Sequence, residues 1–228
     1  MPLALAFAEH ADAARIAEIH MAAFNRNAML IAQFPTPAVR DALKKSIELK
    51  ARADIDDPKT TVLVVRCSIS GGPTDSAELS QSEPDRVCRP REKVIAFAKW
   101  SHPVPIDEDY TEPPWIWPEG TDFKVLGDWA SKSEEAQSRA VGDVPCYRLT
   151  FMGTDPSYER QGAARMMVQW GIDKCKNDHV PAYLESTLEA APLYRRLGFV
   201  DVERFSLEYK DSCSGRTDTY EEISFLYK

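Results

Sequence analysis

Seven consecutive residues, Glu159-Arg160-Gln161-Gly162-Ala163-Ala164-Arg165, hold the clearest chemistry in the chain. They lead into a segment in which Ala163, Met166, Met167 and Trp170 recur at i, i+3, i+4 and i+7, the spacing of one helical face. The first N–H groups of a helix lack intrahelical partners and sit at the positive end of its macrodipole. A Gly- and Ala-rich entry lets a phosphate approach those amides closely, and Arg160 and Arg165 would add full positive charges. Small residues at such a turn also serve close packing, so this segment alone does not separate the two readings.

The other reactive side chains are scattered. Histidines at 10, 20, 102 and 179 show no metal-ligand spacing. Cysteines at 67, 88, 146, 175 and 213 are odd in number and contain no Cys-x-x-Cys, which reads as reduced thiols in a cytosolic protein. Cys175 falls on the buried stripe of its helix and reads as core rather than nucleophile.

At 228 residues the chain suffices for one good core and is short for two, so we expect a single domain over 1–228. The net charge of -8 argues against duplex nucleic acid as a partner. No apolar run approaches the roughly 18 residues that cross a bilayer, and no basic amphipathic stretch is present to hold an anionic membrane. The apolar start, residues 1–8, is brief and lacks a basic lead, so it does not read as a signal peptide.

The elements that must position the turn follow from periodicity and punctuation. Strands are expected over 3–7, 61–70, 94–101, 147–154 and 181–186, with a closing antiparallel pair over 199–209 and 221–227. In the 147–154 strand, Tyr147, Leu149 and Phe151 alternate with polar residues. Helices are expected over 12–24 with Asp12 as N-cap, over 37–52 with Pro37 in the first turn, over 163–177, and over a short stretch before Gly198. Residues 71–92 read as a long, mobile hairpin loop. Residues 102–143 hold ten acidic and three basic residues together with Tyr110, Trp115, Trp117, Phe123 and Trp129, which reads as a partly ordered, aromatic-anchored lid.

The order of elements, Glu159-Arg160-Gln161-Gly162-Ala163-Ala164 at the main turn, and Ala191-Pro192-Leu193-Tyr194-Arg195-Arg196-Leu197-Gly198-Phe199 near the end together resemble the GCN5-related N-acetyltransferase family. The resemblance covers nearly the whole chain outside the two insertions. It implies an α/β (α+β) fold with a mixed, mostly antiparallel central sheet flanked by helices and two long loop insertions. Gly162 and Ala164 match the end of the family's phosphate signature, whereas Glu159 stands where the family has Gln or Arg. A carboxylate there would repel a pyrophosphate, which leaves the binding to backbone amides.

The resemblance further implies acetyl-CoA as cosubstrate, lying where the strand ending at 154 splays from the strand ending at 186. Met152, Thr154, Arg160, Gln161, Gly162, Ala163, Ala164 and Arg165 would bind it, an amide near Met152 polarising the acetyl carbonyl. The acceptor amine would attack directly. Tyr194 occupies the family's place for the acid that protonates the leaving thiolate. The base is not fixed by the sequence: His102 at a strand end is one candidate, Glu185 and Asp155 are weaker ones.

The acidic, aromatic insertion favours a small cationic amine as acceptor. A protein lysine or N-terminus, and a non-catalytic acyl-CoA sensor, stay open as alternatives. A homodimer paired through an exposed final strand is open as well.

Overall fold

Val62-Leu63-Val64-Val65 is apolar at every position because both of its faces are covered. The computed structural model describes residues 2–69, 91–210 and 215–228 and places this run in strand β2 (Thr60–Ile69), next to β1 (Leu3–Phe7). Leu63 and Val65 pack into one helical layer and Val62 and Val64 into the other, the pattern of a doubly covered strand. The remaining strands are β3 (Arg91–Ser101), β4 (Tyr147–Thr154), β5 (Ala182–Thr187), β6 (Val200–Lys210) and β7 (Thr217–Tyr227). They join one sheet in the order β1-β2-β3-β4-β5-β7-β6. Each adjacent pair is antiparallel except β4 with β5. This is the mixed, mostly antiparallel sheet flanked by helices that the family resemblance implies.

Helices α1 (Ala13–Ala23) and α3 (Pro37–Asp56) cover one face, with α2 (Ala28–Gln33) between them in sequence. Thr36 caps α3, its Oγ1 accepting from the Val39 N–H at 3.2 Å, and Pro37 opens the first turn. Asp12 stands at the N-cap of α1 as predicted but makes no side-chain capping bond there; its carboxylate accepts from the Glu9 N–H at 2.9 Å and pairs with Arg66 at 2.7 Å. α3 runs past its predicted end at 52 because Asp54 is held in the interior by Lys50 and Lys99. α5 (Ala163–Asp178) covers the opposite face with Met167, Val168, Ile172 and Cys175. At its middle the Trp100 indole fills the space beside Gly171, so close that a Cβ there would meet ring carbon at 2.2 Å.

Two helices escaped the sequence reading. α2 is short and capped by Asn27, whose Oδ1 accepts from the Leu30 N–H at 2.9 Å. The predicted lid instead contains α4 (Phe123–Val141), capped by Asp122 and lying over β6 and β7. α6 (Ala191–Arg196) keeps Pro192 in its first turn, and Gly198 just beyond it has φ +92. The expected loop over 71–92 lies outside the described residues apart from its last two, which belong to β3. Among the described residues no helix is long and apolar enough to cross a membrane.

Candidate active site

β4 and β5 are paired at three positions: Tyr147 with Ala182, Arg148 with Tyr183, and Leu149 with Leu184. Beyond Leu149 the strands part. A bulge lies on the other edge of β4, where Trp100 faces Leu149 and Lys99 faces Phe151, leaving Thr150 as an extra residue. The bulge also changes which way the side chains face. Leu149 packs into the α5 layer and Phe151 into the α1 and α3 layer, although residues two apart on a regular strand share a face. The single face expected from Tyr147, Leu149 and Phe151 therefore breaks at Phe151.

The parted strands open on a cavity of about 590 Å³, within the usual range for small-molecule sites. Met152, Thr187 and Glu222 line it from β4, β5 and β7; His20 from α1 and Phe24 just beyond it; Trp129 from α4; and Tyr194 from α6. Residues 102–121 cross it as a strap that contributes Glu112, Trp115 and Trp117. The two indoles stack at 4.6 Å and 6°, Trp115 meets Phe151 edge-on at 5.9 Å, and Trp117 leans on Phe34 at 5.9 Å. The Asp122 N–H then donates to the Gln33 carbonyl at 2.8 Å, tying the strap's end to α2.

The strap does not give the cavity a negative charge. Of the ten acidic residues in 102–143 only Glu112 lines it, and its Oε1 accepts from Lys99 at 2.5 Å and Lys50 at 2.8 Å. Asp54 bonds to both lysines as well, so the cluster holds two cations and two carboxylates. Burial pushes the Glu112 carboxyl up, but the lysines outweigh it and hold the group below its ordinary value. Glu108 pairs with Lys59, Asp128 with Lys124 and Glu135 with Lys132, all outside the cavity.

The unpaired carboxyl of the cavity comes from β7, at a residue the sequence reading passed over. Glu222 Oε1 accepts from the Tyr220 hydroxyl at 2.7 Å and from Trp129 Nε1 at 3.3 Å. Burial, reinforced by Glu185, raises its pKa to about 7 in spite of those bonds and of Arg148. Its neighbour Glu221 points the other way and pairs with Arg204 at 3.2 Å; an adjacent Glu-Glu pair gives no hint that one member is buried. His20, enclosed by Phe24, Phe97 and Phe151, is brought down to about 4 by burial and is neutral at physiological pH.

The predicted site residues separate into three places. Met152 and Tyr194 line the cavity. The Tyr194 ring packs on Phe199 and Phe225, and burial raises its phenol above the ordinary value. Thr154 ends β4 opposite Ala96, and beyond it Arg160, Gln161, Gly162, Ala163, Ala164 and Arg165 form the turn into α5. Arg160 at φ +63 and Gly162 at φ +96 both adopt left-handed backbone there, and space beside Gly162 is open. Glu159, Arg160, Gln161 and Arg165 are exposed.

His102 is elsewhere. Its N–H donates to the Lys59 carbonyl at 2.8 Å, which carries the chain from β3 towards the start of β2 and away from the gap. Its ring bonds Thr61 Oγ1 at 2.8 Å and meets Tyr147 edge-on at 5.7 Å. His102 is absent from the cavity wall, so its placement does not suit the base role expected for it. Glu185 does line the cavity, bonded by Arg148 at 3.0 Å and Ser133 at 2.7 Å. Asp155 is engaged by Arg15 outside it. Burial pushes the Cys175 thiol up to about 12, in keeping with its core position.

Solved structures share this fold. Among solved structures, the fold is similar to a histone acetyltransferase HPA2 and related acetyltransferase from Corynebacterium glutamicum, with TM-score 0.57 and 18% identity over 99% of this chain and 96% of that one. It is also similar to Drosophila melanogaster polyamine N-acetyltransferase, which catalyses formation of N-acetylagmatine (TM-score 0.56, 13% identity, 99% of each chain). A third similar structure is Arabidopsis thaliana NAA60 in complex with a bisubstrate analogue (TM-score 0.52, 14% identity, 99% and 97%). No curated protein matches by sequence. The model of the acetyltransferase (GNAT) family matches residues 78–199, and the chain belongs to that family of N-acetyltransferases.

Proposed function

We propose that the protein transfers an acetyl group from acetyl-CoA to the primary amine of a small molecule held in the cavity. The observation that carries this reading is the parting of β4 from β5 beyond Leu149 and Leu184, onto a cavity that Tyr194 lines. Left-handed backbone at Arg160 and Gly162 is a feature of the backbone concavities that bind anions. Open space beside Gly162 lets a phosphate approach its backbone, and exposed Arg160 and Arg165 offset exposed Glu159. The Drosophila enzyme's formation of N-acetylagmatine agrees with an amine acceptor. The strap across the cavity favours a small acceptor over a peptide.

In this reading the neutral amine attacks the acetyl carbonyl carbon, with an amide near Met152 stabilising the charge that develops on oxygen. As the C–N bond forms and the C–S bond breaks, the thiolate takes the Tyr194 phenolic proton, and the proton the acylated nitrogen sheds restores the phenol. Burial raises the phenol's pKa, and the same apolar surroundings raise that of a thiol, so the two stay matched. The ammonium's own proton must pass to a base in the cavity, because an alkylamine is nearly all protonated at neutral pH.

Calorimetric titration with CoA and acetyl-CoA, followed by free-thiol release against a panel of amines, tests the reading. Binding with amine-dependent thiol release is the expected result. Binding without release by any amine would leave a CoA sensor, and no binding would leave the fold alone.

A further inference from the structure

Five side chains on the cavity wall carry charge or readily acquire it, apart from neutral His20 and the two tyrosines: Lys99, Glu112, Arg148, Glu185 and Glu222. Four of them cancel in pairs. Lys99 is bonded to Glu112 at 2.5 Å, and Arg148 to Glu185 at 3.0 Å. Glu222 remains. Among the described residues both of its hydrogen bonds fall on Oε1, which leaves Oε2 to the occupant of the cavity. Much of the rest of the wall is aromatic or aliphatic: Phe24, Leu30, Phe34, Trp115, Trp117 and Leu126 among others.

Register places Glu222 close to the reacting level. With Thr150 extra in the bulge, Met152 lies two steps beyond the last β4–β5 pair, Leu149 with Leu184, at the level of Ser186, and the next residue, Thr187, is the partner of Glu222 on β7. The thioester side of the gap, near Met152 and Tyr194, thus looks across β5 towards the Glu222 carboxyl, which lines the same cavity.

Resting on the acetyl-transfer reading above, we propose that the acceptor is a monoamine on an apolar body, and that Glu222 seats its nitrogen and takes its proton. A second ammonium, as in a polyamine, would meet no unpaired carboxylate on the wall. The proton moves from the ammonium to Glu222, the freed lone pair attacks the acetyl carbon as the C–S bond breaks, Tyr194 supplies the proton that leaves with the thiol, and the second proton shed by the nitrogen as the amide forms restores the Tyr194 phenol.

The groups facing Glu222 are consistent with this. Glu185 from β5 raises its pKa, while Tyr220 on its own strand, Trp129 from α4 and Arg148 from β4 lower it. From β6 its partner is the apolar Phe205, and Glu203 farther along is engaged by Arg139 of α4 at 3.3 Å. A carboxyl near 7 is also a far better acceptor of an amine proton than His20 near 4, by about three powers of ten in the transfer equilibrium.

The test compares 4-phenylbutylamine with spermidine and agmatine, on the wild type, Glu222→Gln and Tyr220→Phe. With the wild type, kcat/KM for phenylbutylamine should exceed that for either polycation at least tenfold and rise with pH through about 7. Glu222→Gln keeps the volume and an acceptor for Tyr220 and Trp129; it should lower kcat/KM by about a hundredfold, flatten that pH limb and leave CoA affinity unchanged. Tyr220→Phe removes a bond that lowers the Glu222 pKa and should move the limb to higher pH.

Preference for spermidine, or a Glu222→Gln enzyme with wild-type rate and profile, overturns the proposal while acetyl transfer stands. If no amine releases thiol, acetyl transfer itself fails, and titration of phenylbutylamine decides on the seat. At least tenfold weaker binding to Glu222→Gln then supports it, and equal binding overturns it.

Discussion

Glu112, in the strap, accepts a hydrogen bond from Lys99 of β3 at 2.5 Å, and the same oxygen accepts from Lys50 of α3 at 2.8 Å. The strap is therefore fastened to the sheet and to a helix by one carboxylate, beneath stacked Trp115 and Trp117. Glu112→Gln would leave two lysines sharing Asp54 alone. Removing one partner of a fully buried pair costs about 3–5 kcal/mol; with its side chain 43% exposed, Glu112 should cost less, about 1–2 kcal/mol. The expected signature is faster proteolysis within 102–121 and a higher KM for the amine, with CoA affinity retained. Unchanged proteolysis would mean that the aromatic contacts alone hold the strap.

Glu222 gives a stability test that needs no activity. Its pKa is 4.5 ordinarily and about 7 in the fold, so the native state holds a proton that the unfolded chain has lost between those values. The protonated carboxyl's favourable position is fully felt below 4.5 and is lost as pH rises through 7. Glu222→Gln cannot lose a proton. It should gain on the wild type by about 3 kcal/mol between pH 4.5 and 8, measured as the difference between their urea unfolding free energies. His20, lowered to about 4, has the opposite sign, but it is present in both proteins and cancels in the difference. A constant difference across that range would place Glu222 in a wetter setting than the structure does.

The Tyr194 hydroxyl has no hydrogen-bond partner among the described residues, so Tyr194→Phe removes chemistry and little else. Its melting temperature should match the wild type within about a degree, in line with surface-scale effects below 0.5 kcal/mol. Its kcat should fall by about a hundredfold, with CoA affinity unchanged. A variant that keeps the wild-type rate at every pH would assign the acid role elsewhere.

Gly162 has φ +96, where a side chain is strained, and no atom within 4 Å of a Cβ built on it. Gly162→Ala should therefore cost about 1–2 kcal/mol through backbone conformation alone. The strain falls on the amides expected to meet phosphate, so CoA should bind about tenfold more weakly by calorimetry. Undiminished affinity would move the phosphate site away from this turn.

The turn into α5 was legible because its pattern is local. Gly162-Ala163-Ala164 before a helical stripe is a statement about seven neighbouring residues, and the structure places α5 at Ala163 as expected. The parting of β4 and β5 came from the family resemblance and is present at Leu149 and Leu184. What could not be read depends on contacts distant in sequence. Thr150 is a bulge only because Trp100 and Lys99 pair on either side of it. α4 was hidden by Gly127 and its serines, whose helical state is supported by packing on β6 and β7 rather than by propensity. The acidity of 102–143 suggested a cationic site, yet nine of those carboxylates lie off the cavity wall and the tenth is neutralised by Lys50 and Lys99. The carboxyl that lines the cavity without a cationic partner among the described residues, Glu222, comes from a strand where it resembles any solvent-facing glutamate.

The most direct measurement is a product balance. Wild-type protein is incubated with acetyl-CoA and 4-phenylbutylamine, and CoA and N-acetylated amine are both quantified by mass spectrometry. Acetyl transfer in the gap between β4 and β5 requires the two to form one for one, and only when both substrates are present. CoA released without acetylated amine, or no turnover despite bound acetyl-CoA, would contradict it.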